Sequence, residues 1–140
     1  MQCKSLWIGL AALLLSASAL AGSAAGERRT IFKQYKQDLT AMHRMTSGGS
    51  FDQAQFVRLA TSFNDAAHKP WQYFPAGSQS RDSKAEIWTR PAEFKQAVDN
   101  FSAASGKLVQ VAGSGDLGQV RAQLNLVQKT CKACHDSFRN

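Results

Sequence analysis

Four stretches of the chain repeat apolar residues at intervals of three and four, the spacing that gathers side chains on one face of an α-helix. The first spans about Glu27 to Thr46, with Phe32, Tyr35, Leu39 and Met42 in line and Ile31 and Met45 beside them. Ser47-Gly48-Gly49-Ser50 ends it, a cluster of turn residues. The second spans about Asp52 to His68 on Phe56, Leu59, Ala60, Phe63 and Ala67. Pro70 stops it, because proline drives the residue before it out of the helical region. The third begins near Pro91, which suits a first helical turn, and carries Phe94, Val98, Phe101, Ala104, Leu108 and Val111 up to Gly113-Ser114-Gly115. The fourth opens on Asp116 as N-cap and reads Leu117, Val120, Leu124, Val127, Cys131, Cys134 and Phe138. No long run of strand-like alternation stands out.

Two short connections and one long one, Lys69 to about Arg90, join these segments. The pattern predicts an all-α fold, an up-down-up-down antiparallel four-helix bundle. The long connection holds Trp71, Phe74, Pro75, Gly77 and Trp88. Connections of that length are functional or packed by their own side chains, and the two tryptophans read as loop-packing aromatics. The chain of 140 residues is expected to form one domain, residues 26–140, behind a leader.

That leader is residues 1–21. Lys4 gives a positive start, Leu6 to Leu15 is a short apolar run, and Ser16 to Gly26 is rich in small residues. This is the pattern of a secretory signal peptide. Cleavage fits after Ala21 or as late as Ala25; a retained anchor is the alternative. The run is shorter than a membrane-spanning helix needs, so no membrane attachment is expected after cleavage. Cleavage removes Cys3 and leaves Cys131 and Cys134. It also removes Lys4, lowering the net charge from +7 to +6. A basic surface can steer an acidic partner. The basic residues are scattered and no nucleic-acid motif appears, so nucleic acid is not an expected partner.

The helix-four stripe runs into Cys131-Lys132-Ala133-Cys134-His135. C-x-x-C-H is the attachment signature of haem c. The thiols add across the two vinyl groups and the imidazole binds iron. Positions i, i+3 and i+4 share a helical face, so all three side chains meet one planar group, and the stripe makes that group part of the core. A thioredoxin-like redox pair would need a βαβ setting. A zinc site lacks a second ligand pair at the right spacing. A disulfide between i and i+3 on a helix is awkward and leaves His135 unexplained.

With these pieces in view the mature chain resembles the class II c-type cytochromes, cytochrome c′ and cytochrome c-556, over nearly its whole length. The matching pieces are Arg28-x-x-x-Phe32, Lys69-Pro70-Trp71-Gln72-Tyr73-Phe74, Ala85-Glu86-Ile87-Trp88, Glu93-Phe94-Lys95-Gln96, Gly115-Asp116-Leu117 and the C-terminal Cys131 to Arg139. The resemblance implies one haem c, covalently held by Cys131 and Cys134, with His135 as the proximal iron ligand. It implies that Arg28 contacts a haem propionate, a task suited to a planar fork. Arg29 stands where relatives often have Gln and is either a second propionate contact or a solvated charge. The segment around Asp82, Ser83 and Lys84 aligns with one that touches a propionate. Arg139, one turn after His135, either tunes the proximal face or is a solvated charge at the helix end.

The position four residues after Arg28 decides the sixth iron site. Met there ligates iron in c-556 relatives; here it is Phe32, which cannot. The resemblance therefore implies a five-coordinate iron under an apolar distal face. A shifted register of the first helix would instead bring Tyr35, Lys36, Met42 or Met45 towards the iron; the interval from Phe32 to Phe51-Asp52, nearly that of the family, supports Phe32. Met42 and Met45 lie about three turns further on, too far to reach the same iron, and read as core filler. His43 and His68 read as surface or helix-terminal residues.

Two function classes remain open, and they are compatible. One is a periplasmic electron carrier with a redox partner protein, and the other binds small gases, nitric oxide or carbon monoxide, at the open iron position. A peroxidase would want distal acid–base residues, which Phe32 does not offer, so no enzyme activity is expected. The resemblance leaves a homodimer open, since many relatives form antiparallel homodimers through the first two helices. Gln34, Lys36 and Asp38 offer no obvious apolar stripe for that here. Export and haem ligation together imply a bacterial periplasm.

Overall fold

The computed structural model describes residues 8–48 and 50–140, with side chains from residue 23 onward. The helices are α1 (Ile8–Ser47), α2 (Gln53–Ala67), α3 (Glu86–Thr89), α4 (Pro91–Ser114) and α5 (Leu117–Phe138), with a 3₁₀ turn at Pro70–Tyr73. α1, α2, α4 and α5 form the four-helix bundle that the periodicity predicts. The first helix, expected from about Glu27, runs back to Ile8, because Ala and Leu dominate the preceding residues and are strong helix formers. Lys4 and Cys3 lie outside the described residues. Among those described, no helix is long and apolar enough to cross a membrane.

Polar side chains fix the directions of the helices. The Asp52 and Asp116 carboxylates cap α2 and α5, accepting from the Gln55 and Gln119 amides at 2.9 and 3.0 Å. Gln53, at the start of α2, donates to the Gly113 carbonyl at the end of α4 at 3.0 Å. The Arg121 Nε, near the start of α5, donates to the Thr46 carbonyl at the end of α1 at 2.8 Å. α2 therefore runs against α4, and α1 against α5. Gly115 closes α4 with φ 75°, and a side chain there would also strike Gln53, 2.9 Å from the position of its Cβ. The turn needs glycine both for its backbone and for its space.

Between α2 and α4 the core is closed by Phe56, Ala60, Phe63, Ala67, Leu108 and Ala112, all fully buried. α4 also packs closely on α5, whose Val120, Leu124 and Val127 complete the core. Burying each large side chain contributes about 1.5–3 kcal/mol. Between the facing parts of α1 and α5 there is little direct contact, and a cavity lies there instead. Met42 is buried and Met45 half-buried in the core, the filler role expected of them.

The long connection is built on aromatic rings and one guanidinium. Trp71 stacks near Phe74, with ring centroids 6.3 Å apart and planes 16° off parallel. Phe74 meets Phe94 at 5.1 Å, and Phe94 meets Phe138 of α5 at 5.2 Å. The end of the connection is tied to the end of α5. Lys84 N donates to the Phe138 carbonyl at 3.1 Å, Asn140 N to the Asp82 carbonyl at 3.3 Å, and Ser83 and Arg139 form an isolated antiparallel bridge.

Candidate haem site

The cavity between α1 and α5 measures about 710 Å³, within the usual range for cofactor pockets. One wall is α5, which presents Cys131, Cys134 and His135 together. The opposite wall is α1, with Phe32, Tyr35 and Leu39. Trp71, Phe74, Ile87, Phe94, Phe101 and Phe138 make the rest largely apolar. Arg28, Arg29 and Arg139 stand at its polar edge with Ser80, Asp82 and Ser83.

Burial sets the state of the α5 groups. It pushes the Cys131 thiol up to about 11, with Cys134 adding to the effect, and it also raises Cys134. Both are free thiols in the structure. Burial lowers the His135 pKa, and the Arg139 guanidinium lowers it further against an opposing pull from Asp136. His135 is therefore neutral at pH 7, the form that ligates metal. Two thiols and a neutral imidazole on one helical face, looking into an apolar slot with cations at its edge, fit haem c: each chemical part of the group meets its complement. Among the described residues no group of three or more His, Cys, Asp or Glu is placed to hold a metal ion.

Arg28 holds more of the site than the sequence reading allotted to it. Its side chain is 4% exposed. It donates to the Tyr73 carbonyl at 2.7 Å, to the Ser78 carbonyl at 2.5 Å and to the Ser78 Oγ at 3.0 Å, with a longer contact to Ser80 Oγ at 3.4 Å. Its guanidinium also lies 4.5 Å from the Phe74 ring centre. Burial, with Arg29 beside it, pulls its pKa down. The residue thus clamps the connection onto α1, while Arg29 next to it is exposed at the cavity edge.

Phe32 lies on the cavity wall, 36% exposed, edge-on to Tyr35 at 5.6 Å and to Trp71 at 6.1 Å. Tyr35 is turned away from a ligating role: its hydroxyl donates to the Ala66 carbonyl at 2.5 Å, and burial raises its pKa. Of the two tryptophans in the connection, Trp71 borders the cavity and donates to the Ala67 carbonyl at 2.6 Å. Trp88 donates to the carbonyls of Phe74 and Pro75. Of the propionate segment, Asp82 and Ser83 reach the cavity. Lys84 instead donates to the Asp136 carbonyl at 2.9 Å.

One expectation needs correcting. His43 is not a surface residue: it lines the far end of the cavity, and its Nε2 is buried without a hydrogen-bond partner. It lies eleven residues beyond Phe32, on the same face of α1, since eleven residues make about three turns. That spacing was the available signal. His68 does sit at a helix end, as the cap of α2.

Comparison with known proteins agrees with this site. Residues 23–139 match the family described as Cytochrome C′. The chain is 34% identical to cytochrome c′ of Alcaligenes xylosoxydans xylosoxydans over 114 residues, covering 77% of this chain and 90% of that protein. It superposes with TM-score 0.82 on a nitric oxide complex of a mutant cytochrome c prime from Alcaligenes xylosoxidans, at 30% identity, covering 86% of this chain and 95% of that one. Cytochrome c′ of Rubrivivax gelatinosus superposes with TM-score 0.80 at 27% identity, covering 86% and 97%. A family match across most of the chain, on a bundle with this pocket and this thiol–imidazole set, places the protein among the haem c-binding cytochromes c′.

Proposed function

We propose that the protein is a periplasmic cytochrome that carries single electrons and binds a small gas at a five-coordinate haem iron. Haem c, when bound, supplies a one-electron iron couple and an axial position for a gas molecule. The observation that carries the reading is the opposition across the cavity of Cys131, Cys134 and His135 on α5 to Phe32 on α1. Cys131 and Cys134 would hold the porphyrin by thioethers, and His135 would give iron its protein ligand. Phe32 offers no lone pair, and the wall it forms with Leu39 would present an apolar surface to the iron. That wall would crowd out bulky ligands and give no hydrogen bond to a bound gas. Nitric oxide and carbon monoxide need none, and both are named in structures of the Alcaligenes xylosoxidans relative.

Arg29 and Arg139, which both line the cavity, would meet the propionates. Arg28 holds the segment carrying Ser80, Asp82 and Ser83 against them. His43, three turns from Phe32, is too distant for acid–base work at the iron, which supports a carrier and gas-binding role over catalysis. The family match begins at residue 23, and Ala24 and Ala25 are buried. Both support a mature domain that begins after Ala21.

The test is the visible spectrum of the exported holoprotein, ferric and dithionite-reduced, with and without carbon monoxide. A broad high-spin reduced Soret band that sharpens with carbon monoxide is expected. Sharp low-spin bands indifferent to carbon monoxide would mean a second protein ligand and a pure electron carrier of the c-556 type.

A further inference from the structure

Along α1, the cavity edge carries Arg29, Lys33, Lys36, Thr40 and His43, at intervals of four and three, all lining the opening. The first three are exposed cations. Among the described residues neither they nor Arg139, across the opening, forms an ion pair. Of the nearby acids, Asp82 faces Arg81 at 3.6 Å and Asp136 holds Lys132 at 2.6 Å. Asp38 is buried: one carboxylate oxygen accepts from Gln34 at 2.8 Å, the other has no hydrogen-bond partner among the described residues, and it forms no ion pair with the exposed lysines. The two propionates of a bound haem would be met by Arg29 and Arg139. Lys33 and Lys36 then remain uncompensated beside the cofactor's edge.

We propose that the Lys33–Lys36 face of α1 is the docking surface for an acidic redox protein, which passes one electron to the haem across this edge. The inference rests on the electron-carrier reading above. The form of the patch selects the partner class. From Arg29 to Lys36 the charges spread over about 10 Å of a convex helix. They do not converge on a point as a small anion would require. A membrane surface would want an apolar anchor beside them, and the exposed large apolar residues among those described are Phe32, inside the cavity wall, and Leu126 on α5. A nucleic acid would want exposed aromatic rings for bases to stack on, and Phe32 is turned to the pocket. An acidic protein needs only a charged line next to the electron's exit. Such complementarity raises encounter rates and falls with ionic strength.

The test uses the holoprotein and reduced flavodoxin, an acidic protein, as probe. Flavodoxin hydroquinone gives up one electron and becomes the semiquinone, while ferric haem becomes ferrous. Stopped-flow reduction of the wild type is expected to slow about tenfold or more between 20 and 500 mM salt. The double variant K33E/K36E should be at least about tenfold slower at low salt and equal to wild type at high salt, and K33Q/K36Q should lie between. A ¹H–¹⁵N titration with oxidised flavodoxin provides a readout independent of electron flow. Amides of residues 29–40 should shift in the wild type and not in K33E/K36E. Equal low-salt rates for all three proteins, or shifts confined to another face, would overturn the proposal. So would sedimentation of the wild type with phosphatidylglycerol vesicles without any flavodoxin shifts, which would assign the lysines to a lipid surface. Reduction by dithionite in every variant keeps the carrier reading intact in those cases. A haem that dithionite fails to reduce would instead overturn the carrier reading itself.

Discussion

The seam between α2 and α4 and the seam between α1 and α5 are made from the same helical periodicity and end in opposite ways. At the first, Phe56, Ala60, Phe63, Leu108 and Ala112 fill the space completely. Within that seam Ser105 reaches across to Asn64 at 2.9 Å, and Gln53 closes its end on the Gly113 carbonyl. At the second, the side chains line a cavity, and Arg121 ties the start of α5 to the Thr46 carbonyl at the end of α1. Close packing is the usual state of a protein interior. A bundle that packs one seam fully and opens the other around two thiols and an imidazole has assigned part of its core to a cofactor. The α2–α4 seam carries stability, and the α1–α5 seam carries function and depends on its haem to close the core.

The sharpest way to break that contrast is to remove both tethers. Replacing Cys131 and Cys134 by serine should leave no haem on the chain after denaturing electrophoresis. It should also lower the melting temperature by roughly 15 °C or more, since a group bound only by the native state stabilises it. A variant that keeps wild-type melting would show that the α1–α5 seam closes without its cofactor.

On the packed side the order of effects reverses. Leu108→Ala empties a fully buried position away from the cavity and should cost about 2–5 kcal/mol. Urea unfolding should show a lower midpoint at unchanged slope, with the haem spectrum of the native protein unaltered. A spectral change would mean that the two seams are mechanically coupled.

Arg28 joins the two regimes, because its side chain is buried while its partners lie in the connection that edges the cavity. Arg28→Ala removes charged hydrogen bonds and should cost about 2–3 kcal/mol. Arg28→Lys should recover little, since an ammonium cannot reproduce the fork. Amide exchange should accelerate over residues 73–80 in both variants and stay unchanged in α2 and α4. Uniform acceleration would make Arg28 a general stabiliser and not a clamp on this segment.

The helices were legible because each repeats one simple preference. The α5 stripe from Leu117 to Phe138 runs at three and four through the attachment motif, and the structure follows it to the last residue. The connection was less legible. Its shape comes from long-range contacts, such as Arg28 to Ser78 across 50 residues and Lys84 to Phe138, which no local pattern encodes. Arg28 was recognisable as a residue of the site, but its clamp on the connection was not, since a guanidinium serves a carbonyl as well as a carboxylate. His43 escaped notice because a lone histidine on a polar stripe reads as solvated until the opposite helix is seen to stand away from it.

The smallest effect on stability and the largest on chemistry should come from one position. Phe32 is partly exposed on the cavity wall, and Phe32→Met is close to a volume-conserving apolar exchange, worth less than about 1.5 kcal/mol. The folded bundle should therefore be nearly unchanged in its urea midpoint. The new side chain, however, brings a thioether sulfur to face His135 across the pocket, and a flexible Met can adjust its three torsions to reach it. A second axial ligand should convert a high-spin site to a low-spin one, with sharp reduced bands and slow, weak binding of carbon monoxide. Phe32→Leu serves as the matched control: it keeps the position apolar and should leave the spectrum high-spin. If Phe32→Met also stays high-spin while remaining folded, residue 32 does not stand over the iron. The distal wall would then have to be sought further along α1, towards Leu39.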